Sequence, residues 1–379
     1  MVLRRNGNPL FTLGMYERPR NDDEWAAWSK AGVNLVCCSA REHLDAAHRW
    51  GMFGWVPVPM ILAPEDDGAQ LAERIRALAD HPALAVWEAP DEAIWHAHRQ
   101  PTNWATKRLW SLPPEDQKSV QERLDAVVHG LARGSALVRS IDPGRPLWLN
   151  ESGANQLTLA RCVSSLDIVS VDAYPVPPRI EKPVHHIGLD IDRFRAAAPN
   201  KEVWMVEQAF SWNNLYPERK KAEAPVYPTL EESRFMAWQA ILHGATGLLW
   251  WGSSYEDRPA QIVDTVMQVV SEISQLNAFL IGGEVFSVRV VADTRAYPAT
   301  ALGIGHICRR AGDGTLLVLA NEDPFDQEAI ITGVDWLDVS KMRPVCEPSA
   351  PLTRIDEGWI TPMRGYEVRL YVSEQSAGH

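Results

Sequence analysis

The stretch EVWMVEQAF, residues 202–210, contains an apolar run without the polar alternation of a half-exposed strand. A strand of this kind is buried on both faces, as in a parallel sheet covered by helices. The helical pattern TLEESRFMAWQAILHGA follows it, and a second apolar run, TGLLWWGSS (246–254), comes next. This order predicts a strand, a crossover helix and a parallel strand.

The same unit repeats from the amino terminus onward. The earlier predicted strands are LFTLGMY (10–16), VNLVCCS (33–39), FGWVPVPM (53–60), ALAVWEA (83–89), PLWLNES (146–152) and DIVSVDAYP (167–175). Eight repeats over about 280 residues match the size of one TIM barrel. A doubly wound sheet is the alternative, but no Gly-rich phosphate turn follows the first strand. We therefore predict an α/β chain whose residues 1–283 form a (β/α)8 barrel.

After Gly283 the pattern changes to short strands. They include ALGIGHICRR, TLLVLAN, EAIITGV and YEVRLYV, with a hairpin-turn signal at AGDGT (311–315). Short strands separated by turns are typical of antiparallel sheets. Residues 284–379 are therefore predicted to form a small C-terminal β-sandwich.

Composition excludes several classes of partner. The formal net charge is -12, so no basic surface is expected to bind nucleic acid. We find no apolar run of about 18 residues that could span a membrane. The five cysteines show no C-x-x-C spacing for zinc or redox chemistry. MVLRRNGNPLF lacks the apolar region of a signal peptide, and both a cytoplasmic protein and a trimmed secreted one fit this sequence.

Polar and aromatic side chains collect at the predicted strand ends. Active sites of TIM barrels form at the carboxyl ends of the strands, so these residues are the first candidates for function. In chain order they are Glu17, Asp91, Glu92, Glu151, Asp172, Tyr174, Glu207, Trp250 and Trp251. Glu207 interrupts a run predicted to be buried, where an unpaired carboxylate is costly. A structural ion pair is one explanation, and a catalytic role is the other.

The sequence resembles the retaining glycoside hydrolases of clan A. That clan carries an acid/base Glu after strand four, in a W-x-x-x-N-E-P motif, and a nucleophile Glu at the end of strand seven. HPALAVWEAPDEA has this layout with Trp87 in place, and VWMVEQAF, DIVSVDAYP and GLLWWGSS resemble the segments of strands six to eight. Two positions depart from the motif, because Asp91 replaces the Asn that contacts the sugar 2-hydroxyl and Ala93 replaces the Pro.

The resemblance implies a retaining β-glycosidase that needs no cofactor and acts on a carbohydrate. Glu92 would be the acid/base and Glu207 the nucleophile. The implied substrate-binding residues are Glu17, Asp91, Trp95, Asn150, Asp172, Tyr174, Trp212, Trp250 and Trp251. The resemblance does not indicate which sugar is cleaved, nor the oligomeric state.

Retaining chemistry needs one protonated and one ionised carboxyl, about 5–5.5 Å apart, whereas an inverting pair is about 6.5–9.5 Å apart. The charge of Asp91 is expected to raise the pKa of Glu92, which favours the acid role. Tyr174 is expected to donate a hydrogen bond that keeps Glu207 ionised. Alternatively, Asp91 and Glu92 simply begin a helix, whose dipole favours acidic residues.

Two other functions compete with the glycosidase. A non-catalytic carbohydrate-binding barrel would explain the altered motif. A metal-dependent hydrolase would use His96 and His98, although no His directly follows strands five or six. The aromatic residues Trp104, Trp110, Tyr216 and Tyr227 fall in predicted loops, where they can stack on sugars or pack the loop.

Overall fold

The computed structural model describes residues 3–99, 111–153, 155–177, 183–215, 224–256, 258–293, 302–345 and 351–373. A short antiparallel hairpin comes first, formed by β1 (Arg4–Arg5) and β2 (Asn8–Pro9). Sequence reasoning did not predict it. Leu3 and Leu10 beside the hairpin join the core inside the barrel that follows.

Eight parallel strands form a closed barrel, which confirms the predicted fold. They are β3 (Thr12–Met15), β4 (Leu35–Cys37), β5 (Phe53–Pro57), β6 (Leu84–Glu88), β7 (Leu147–Ser152), β8 (Ile168–Asp172), β9 (Glu202–Gln208) and β10 (Gly247–Trp251). Each strand pairs with its neighbour in the chain, and β10 closes the barrel against β3. Their carboxyl ends therefore meet at one rim.

Helices surround the barrel. They are α1 (Asp22–Ala31), α2 (Arg41–Arg49), α3 (Ala69–Leu78), α4 (Ala93–His98), α5 (Pro114–Ile141), α6 (Gln156–Cys162), α7 (His186–Ala197), α8 (Trp212–Leu215), α9 (Leu230–Leu242), α10 (Ala260–Gln275) and α11 (Asn277–Leu280). Capping residues in the sequence determine where several of these helices begin or end. Asn21 caps α1, which ends at the left-handed Gly32, and a capping box of Thr229 and Glu232 begins α9. No helix in these ranges is long and apolar enough to cross a membrane.

Side chains on each barrel strand alternate between the interior and the helix layer. On β9, Trp204 and Val206 belong to the interior cluster, whereas Val203 and Met205 pack with the helices. The same alternation places Asp172 on the interior side of β8, because Ile168 is interior and Val169 and Val171 are not. Alternation therefore decides which polar side chains can reach a central cavity.

Two antiparallel sheets form the C-terminal region, as predicted. The first has the order β11, β13, β14, β19, β16, and the second β12, β15, β18, β17. The strands are β11 (Gly283–Glu284), β12 (Arg289–Asp293), β13 (Ile304–Ala311), β14 (Gly314–Asn321), β15 (Gln327–Thr332), β16 (Met342–Pro344), β17 (Thr353–Ile355), β18 (Gly358–Met363) and β19 (Val368–Ser373). Strands β16, β17 and β18 were not predicted. The division at residue 283 stays a prediction, and β11 spans it.

The sandwich packs directly on the barrel helices. Leu316, Val318 and Leu370 belong to the same buried cluster as Phe235 on α9. Arg234 of α9 also donates to the backbone oxygen of Val368 at 2.7 Å. The sandwich thus supports α9, which packs against β9.

Candidate active site

A cavity of about 310 Å³ lies at the carboxyl rim of the barrel. Residues that end or follow five barrel strands, together with α4 and α8, form its walls. They are Tyr16, Asp91, Glu92, Trp95, Asn150, Ser152, Asp172, Tyr174, Trp212, Leu215 and Trp251. The structure therefore brings together most of the predicted site residues in the place where barrel enzymes bind substrate.

Glu92 sits in a strained turn between β6 and α4. Its φ is 47°, in the left-handed region that costs a non-glycine residue about 1–3 kcal/mol. Strand β7 holds the turn on both sides of Glu92. The backbone N–H of Glu92 donates to Asn150 O at 3.0 Å, and the buried Glu151 carboxylate accepts from the backbone N–H groups of Ile94 at 2.5 Å and Trp95 at 3.1 Å. The position of Glu92 is thus fixed by its neighbours.

The surroundings of the Glu92 carboxyl favour its protonated form. Burial raises its pKa to about 8, assisted by the charges of Asp172 and Asp91 and by a hydrogen bond to Asp172, against the lowering effect of Arg99. Two neighbouring carboxyl groups that cannot both be ionised hold one proton between them in this way. A carboxyl that holds its proton near pH 7 suits general acid catalysis.

Asp172 is the hydrogen-bond partner of Glu92 across the cavity. The hydroxyl of Tyr174 also donates to Asp172, and the pKa of Tyr174 is raised well above its usual value by burial and then by Asp172. The prediction that Tyr174 would donate to Glu207 is therefore wrong. Tyr174 and Asp172 follow the same strand, and their bond fixes the carboxylate that faces Glu92.

Asp91 is held by a chain of buried hydrogen bonds. Trp148 Nε1 donates to Ser170 Oγ at 2.8 Å, Ser170 Oγ donates to Asn150 Oδ1 at 2.6 Å, and Asn150 Nδ2 donates to Asp91 Oδ1 at 2.8 Å. The order of donors fixes the orientation of the Asn150 amide. Asn150, predicted to bind substrate, thus lines the cavity and also orients Asp91.

Aromatic rings build one wall. Tyr174 stacks on Trp251 with ring centroids 5.3 Å apart and an interplanar angle of 22°. Trp212 lies edge-on to Tyr174 and donates from Nε1 to Tyr174 O at 3.0 Å. Flat apolar faces beside carboxyl groups are the surfaces that a sugar ring needs, because each ring has an apolar face and a polar edge.

Two predicted substrate-binding residues lie outside the cavity lining. Glu17 accepts from the backbone N–H groups of Gly252 at 2.9 Å and Ser254 at 3.4 Å, so it braces the segment after β10. Trp250 is 1% exposed and packs with the helix layer, whereas its neighbour Trp251 faces the interior. Strand alternation explains why one of two adjacent tryptophans reaches the cavity.

Glu207 is also absent from the cavity lining. It follows Val203 and Met205 on the helix side of β9, and it is fully buried. Neither carboxyl oxygen has a hydrogen-bond partner among the described residues, and burial raises its pKa well above the usual range. The structure therefore does not bring Glu207 into the cavity that Glu92 lines.

Three cavity residues escaped sequence reasoning. Tyr16 directly follows β3 and satisfies the strand-end rule applied elsewhere, so it could have been found. Ser152 ends β7, next to the predicted Glu151, and Leu215 belongs to the short α8. Trp104, Trp110 and Tyr216 lie outside the described residues.

The metal alternative finds little support. Within the described ranges there is no group of three or more His, Cys, Asp or Glu side chains arranged to hold a metal ion. His96 and His98 both lie on α4.

Comparisons with known proteins give a family match over part of the chain and a shared fold. The glycoside hydrolase 42 family model, described as β-galactosidase, matches residues 121–271. No curated protein sequence matches the chain.

Several solved β-galactosidases share the architecture. A catalytic mutant of a family 42 β-galactosidase from G. stearothermophilus is 11% identical, with a TM-score of 0.59 over 97% of this chain and 98% of that one. The β-galactosidase from Bacillus circulans sp. alkalophilus is 9% identical, with a TM-score of 0.60 over 97% and 99%. The chain spans 60% of the β-galactosidase from Marinomonas ef1, at 16% identity over 70% of its own length, with a TM-score of 0.49.

The family match and the shared architecture confirm the predicted resemblance. Over residues 121–271 the chain resembles this glycoside hydrolase family, and the solved structures share its barrel and C-terminal β-sandwich. The comparisons do not favour either the non-catalytic binding barrel or the metal-dependent hydrolase.

Proposed function

We propose that this barrel hydrolyses β-linked glycosides with retention, with Glu92 as the acid/base, and that β-galactosides are the first substrates to test. The observation that supports the proposal is the pairing of protonated Glu92 with Asp172 inside an aromatic cavity at the barrel rim. The galactoside comes from the matching family model and the printed names of the solved enzymes.

Residues of the cavity act in each step of the proposed hydrolysis. The sugar enters against the stacked Tyr174 and Trp251, and Glu92 gives its proton to the leaving glycosidic oxygen as a carboxylate attacks the anomeric carbon. Glu92, now ionised, then removes a proton from water as the water oxygen bonds to the anomeric carbon, and the bond between the carboxylate and the sugar breaks, which releases the sugar and restores the protonated Glu92. The raised pKa of Glu92 serves the first step, and the loss of its proton prepares the second.

Two carboxyls compete for the nucleophile role. The family layout assigns it to Glu207, which would have to turn its carboxyl into the cavity. The cavity itself presents Asp172, which shares a hydrogen bond with Glu92, and a sugar ring inserted between the two carboxyls would separate them. The two candidates are distinguished by the experiment that follows.

Azide rescue distinguishes the acid/base from the nucleophile, because azide can take the place of a missing carboxylate. The anomeric configuration of the glycosyl azide product shows which face of the sugar the azide attacked. Rescue of Glu92→Ala should give the β-glycosyl azide, since two inversions occur. Rescue of a nucleophile variant should give the α-glycosyl azide, since one inversion occurs. We expect the α product from Glu207→Ala. Near-wild-type activity in Glu207→Ala, with the α product from Asp172→Ala, would transfer the role to Asp172.

Proton NMR of wild-type turnover tests the retaining mechanism. With an aryl β-galactoside as substrate, the first-formed sugar should be the β anomer, which then mutarotates. An α anomer formed first would show inversion through a single displacement. Binding of galactose without turnover of any aryl β-glycoside would support the binding-barrel alternative.

A further inference from the structure

The cavity is strongly acidic for a site that binds a neutral sugar. Asp91, Glu92 and Asp172 all line it, and none of its described lining residues is Lys or Arg. A positive charge does act on Glu92 from Arg99, whose guanidinium packs over the Trp95 ring at 5.2 Å. With Glu92 protonated, two carboxylates remain to be balanced in a water-poor space.

Asp91 is placed to contact one particular part of the substrate. Its neighbour Glu92 must reach the glycosidic oxygen at C1 to protonate it. The ring atoms bonded to C1 are the ring oxygen, which only accepts hydrogen bonds, and C2, whose substituent donates. An ionised carboxyl only accepts. Asp91 is therefore matched to a donor on C2.

The charge of Asp91 selects between the possible donors. A neutral Asn oxygen would accept from a C2 hydroxyl without the cost of a buried charge, so the carboxylate has to be offset by something else. Asn150 supplies one neutral donor at 2.8 Å, and the charge of His96 also lowers the pKa of Asp91, but burial outweighs both and leaves that pKa raised. An ammonium group on C2 would supply further positive charge directly at the carboxylate.

Other parts of the wall suit the same ligand. The faces of Tyr174, Trp251 and Trp212 stabilise a nearby cation. Ser152 Oγ is buried beside the cavity and has no hydrogen-bond partner among the described residues. Because this hydroxyl can both donate and accept a hydrogen bond, it is available to a bound sugar.

We propose that the substrate is a cationic sugar, a β-linked 2-amino-2-deoxyglycoside whose C2 ammonium pairs with Asp91. This inference rests on the proposed glycosidase function and specifies its substrate class. Hydrolysis follows the same steps, and the amine keeps its proton throughout. N-acetylation removes the charge and should abolish the preference.

The test compares three 4-nitrophenyl β-galactosides that differ at C2, carrying a hydroxyl, an amine or an acetamide, at a pH where the amine is protonated. The Asp91 carboxylate accepts from the neutral C2 hydroxyl but forms an ion pair with the C2 ammonium, and each ~1.4 kcal/mol of difference between the two contacts is tenfold in kcat/KM. Wild type should therefore show kcat/KM at least about tenfold higher for the amine. A preference for the hydroxyl or the acetamide would overturn the proposal.

Asp91→Asn is the matched variant, because it keeps the shape and the acceptor oxygen and removes the charge. Whatever its overall activity, it should lose the preference for the amine, measured as the ratio of kcat/KM between the amine and the hydroxyl substrates. Asp125→Asn on α5 is the control and should not change this ratio, because Asp125 pairs with Arg161 at 2.7 Å and does not line the cavity. An unchanged preference in Asp91→Asn would refute the role of that carboxylate.

Binding measurements separate this inference from the proposed function. Calorimetry compares the affinities for free galactosamine, N-acetylgalactosamine and galactose. It therefore measures whether the site prefers the charged sugar without requiring turnover. Tighter binding of galactosamine, lost in Asp91→Asn, supports the cationic site even if no aryl glycoside is cleaved. Cleavage of the plain galactoside together with equal binding of all three sugars would contradict this inference without contradicting the proposed glycosidase function.

Discussion

At the scale of single residues, the site depends on a proton shared by two carboxyls. Glu92 and Asp172 come from strand ends far apart in sequence, and β7 and Tyr174 hold them in contact. Because Asp172 acts on Glu92 through both its charge and a hydrogen bond, it is a positioning residue for the acid whether or not it also attacks the sugar.

The alkaline limb of the pH profile should report this pairing. Glu92 must be protonated to act as the acid, so kcat/KM should fall as the pH rises through its pKa of about 8. Asp172→Asn removes a cause that raises this pKa and should move the limb to lower pH. Asp91→Asn is the comparison, with a smaller shift in the same direction. A limb that stays in place in Asp172→Asn contradicts the pairing. If turnover is too slow, carbon NMR of the Glu92 carboxyl gives the same titration.

The leaving group should separate Glu92 from other cavity residues. Glu92→Ala should slow glycosides with poor leaving groups by about 10²–10⁴-fold and activated aryl glycosides much less, because only the former need a proton from the enzyme. The measurement is kcat/KM over a series of aglycones of known acidity. Equal losses across the series would contradict the acid role.

At the scale of elements, the long helix α5 lies unusually close to the segment that follows β5. Leu62 N–H donates to Gly130 O at 3.2 Å, and a Cβ added at Gly134 would come within 1.8 Å of Met60 O. A glycine inside a helix normally costs about 1 kcal/mol relative to alanine. Here the two glycines permit a contact of backbone with backbone.

Gly134→Ala should therefore destabilise the protein, by about 1–3 kcal/mol, although alanine is the better helix former. Gly144 is the matched control, because nothing lies within 4 Å of its added Cβ and its φ is not positive. Gly144→Ala should be neutral or slightly stabilising. Chemical denaturation of both variants measures the difference, and equal stabilities would mean that α5 does not depend on the contact.

At the scale of the whole molecule, the repeat of strand and helix made the barrel predictable. Each strand carries its own apolar run, so local sequence was sufficient for all eight. Strands β16 and β17 were missed because they are short and mostly exposed, and β18 because its residues are only partly buried and include a proline. The pairing of all three in the two sheets is decided by distant partners.

The site was predictable only in part, for a geometric reason. The strand-end rule correctly placed Asp91, Glu92, Asp172 and Tyr174 at one rim. It does not say which of two adjacent residues faces inward, and this is why Trp251 lines the cavity and Trp250 does not. The same uncertainty applies to Glu207, whose role stays a prediction. Contacts such as that of Tyr174 with Asp172 arise only after the strands have been placed.

One of the contacts between barrel and sandwich is made by a histidine, and its contribution to stability should depend on pH. His243, next to the end of α9, bonds Glu322 of the sandwich at 3.0 Å and Asp192 of α7 at 2.9 Å, while Gln239 donates to Glu322 at 2.6 Å. Burial lowers the pKa of His243, but the hydrogen bond and charge of Glu322, followed by Asp192, outweigh it and leave the pKa raised.

A raised folded-state pKa means that the folded protein binds this proton more tightly than the unfolded chain. The stabilisation is therefore complete below the unfolded pKa of about 6.5 and is lost as the pH rises through the folded pKa. His243→Gln should be less stable than wild type near pH 6, and the difference in free energy of unfolding between the two should narrow at higher pH. Urea denaturation at a series of pH values measures it, with His129→Gln on the exposed face of α5 as the control. A gap independent of pH would show that His243 joins the two parts by packing rather than by charge.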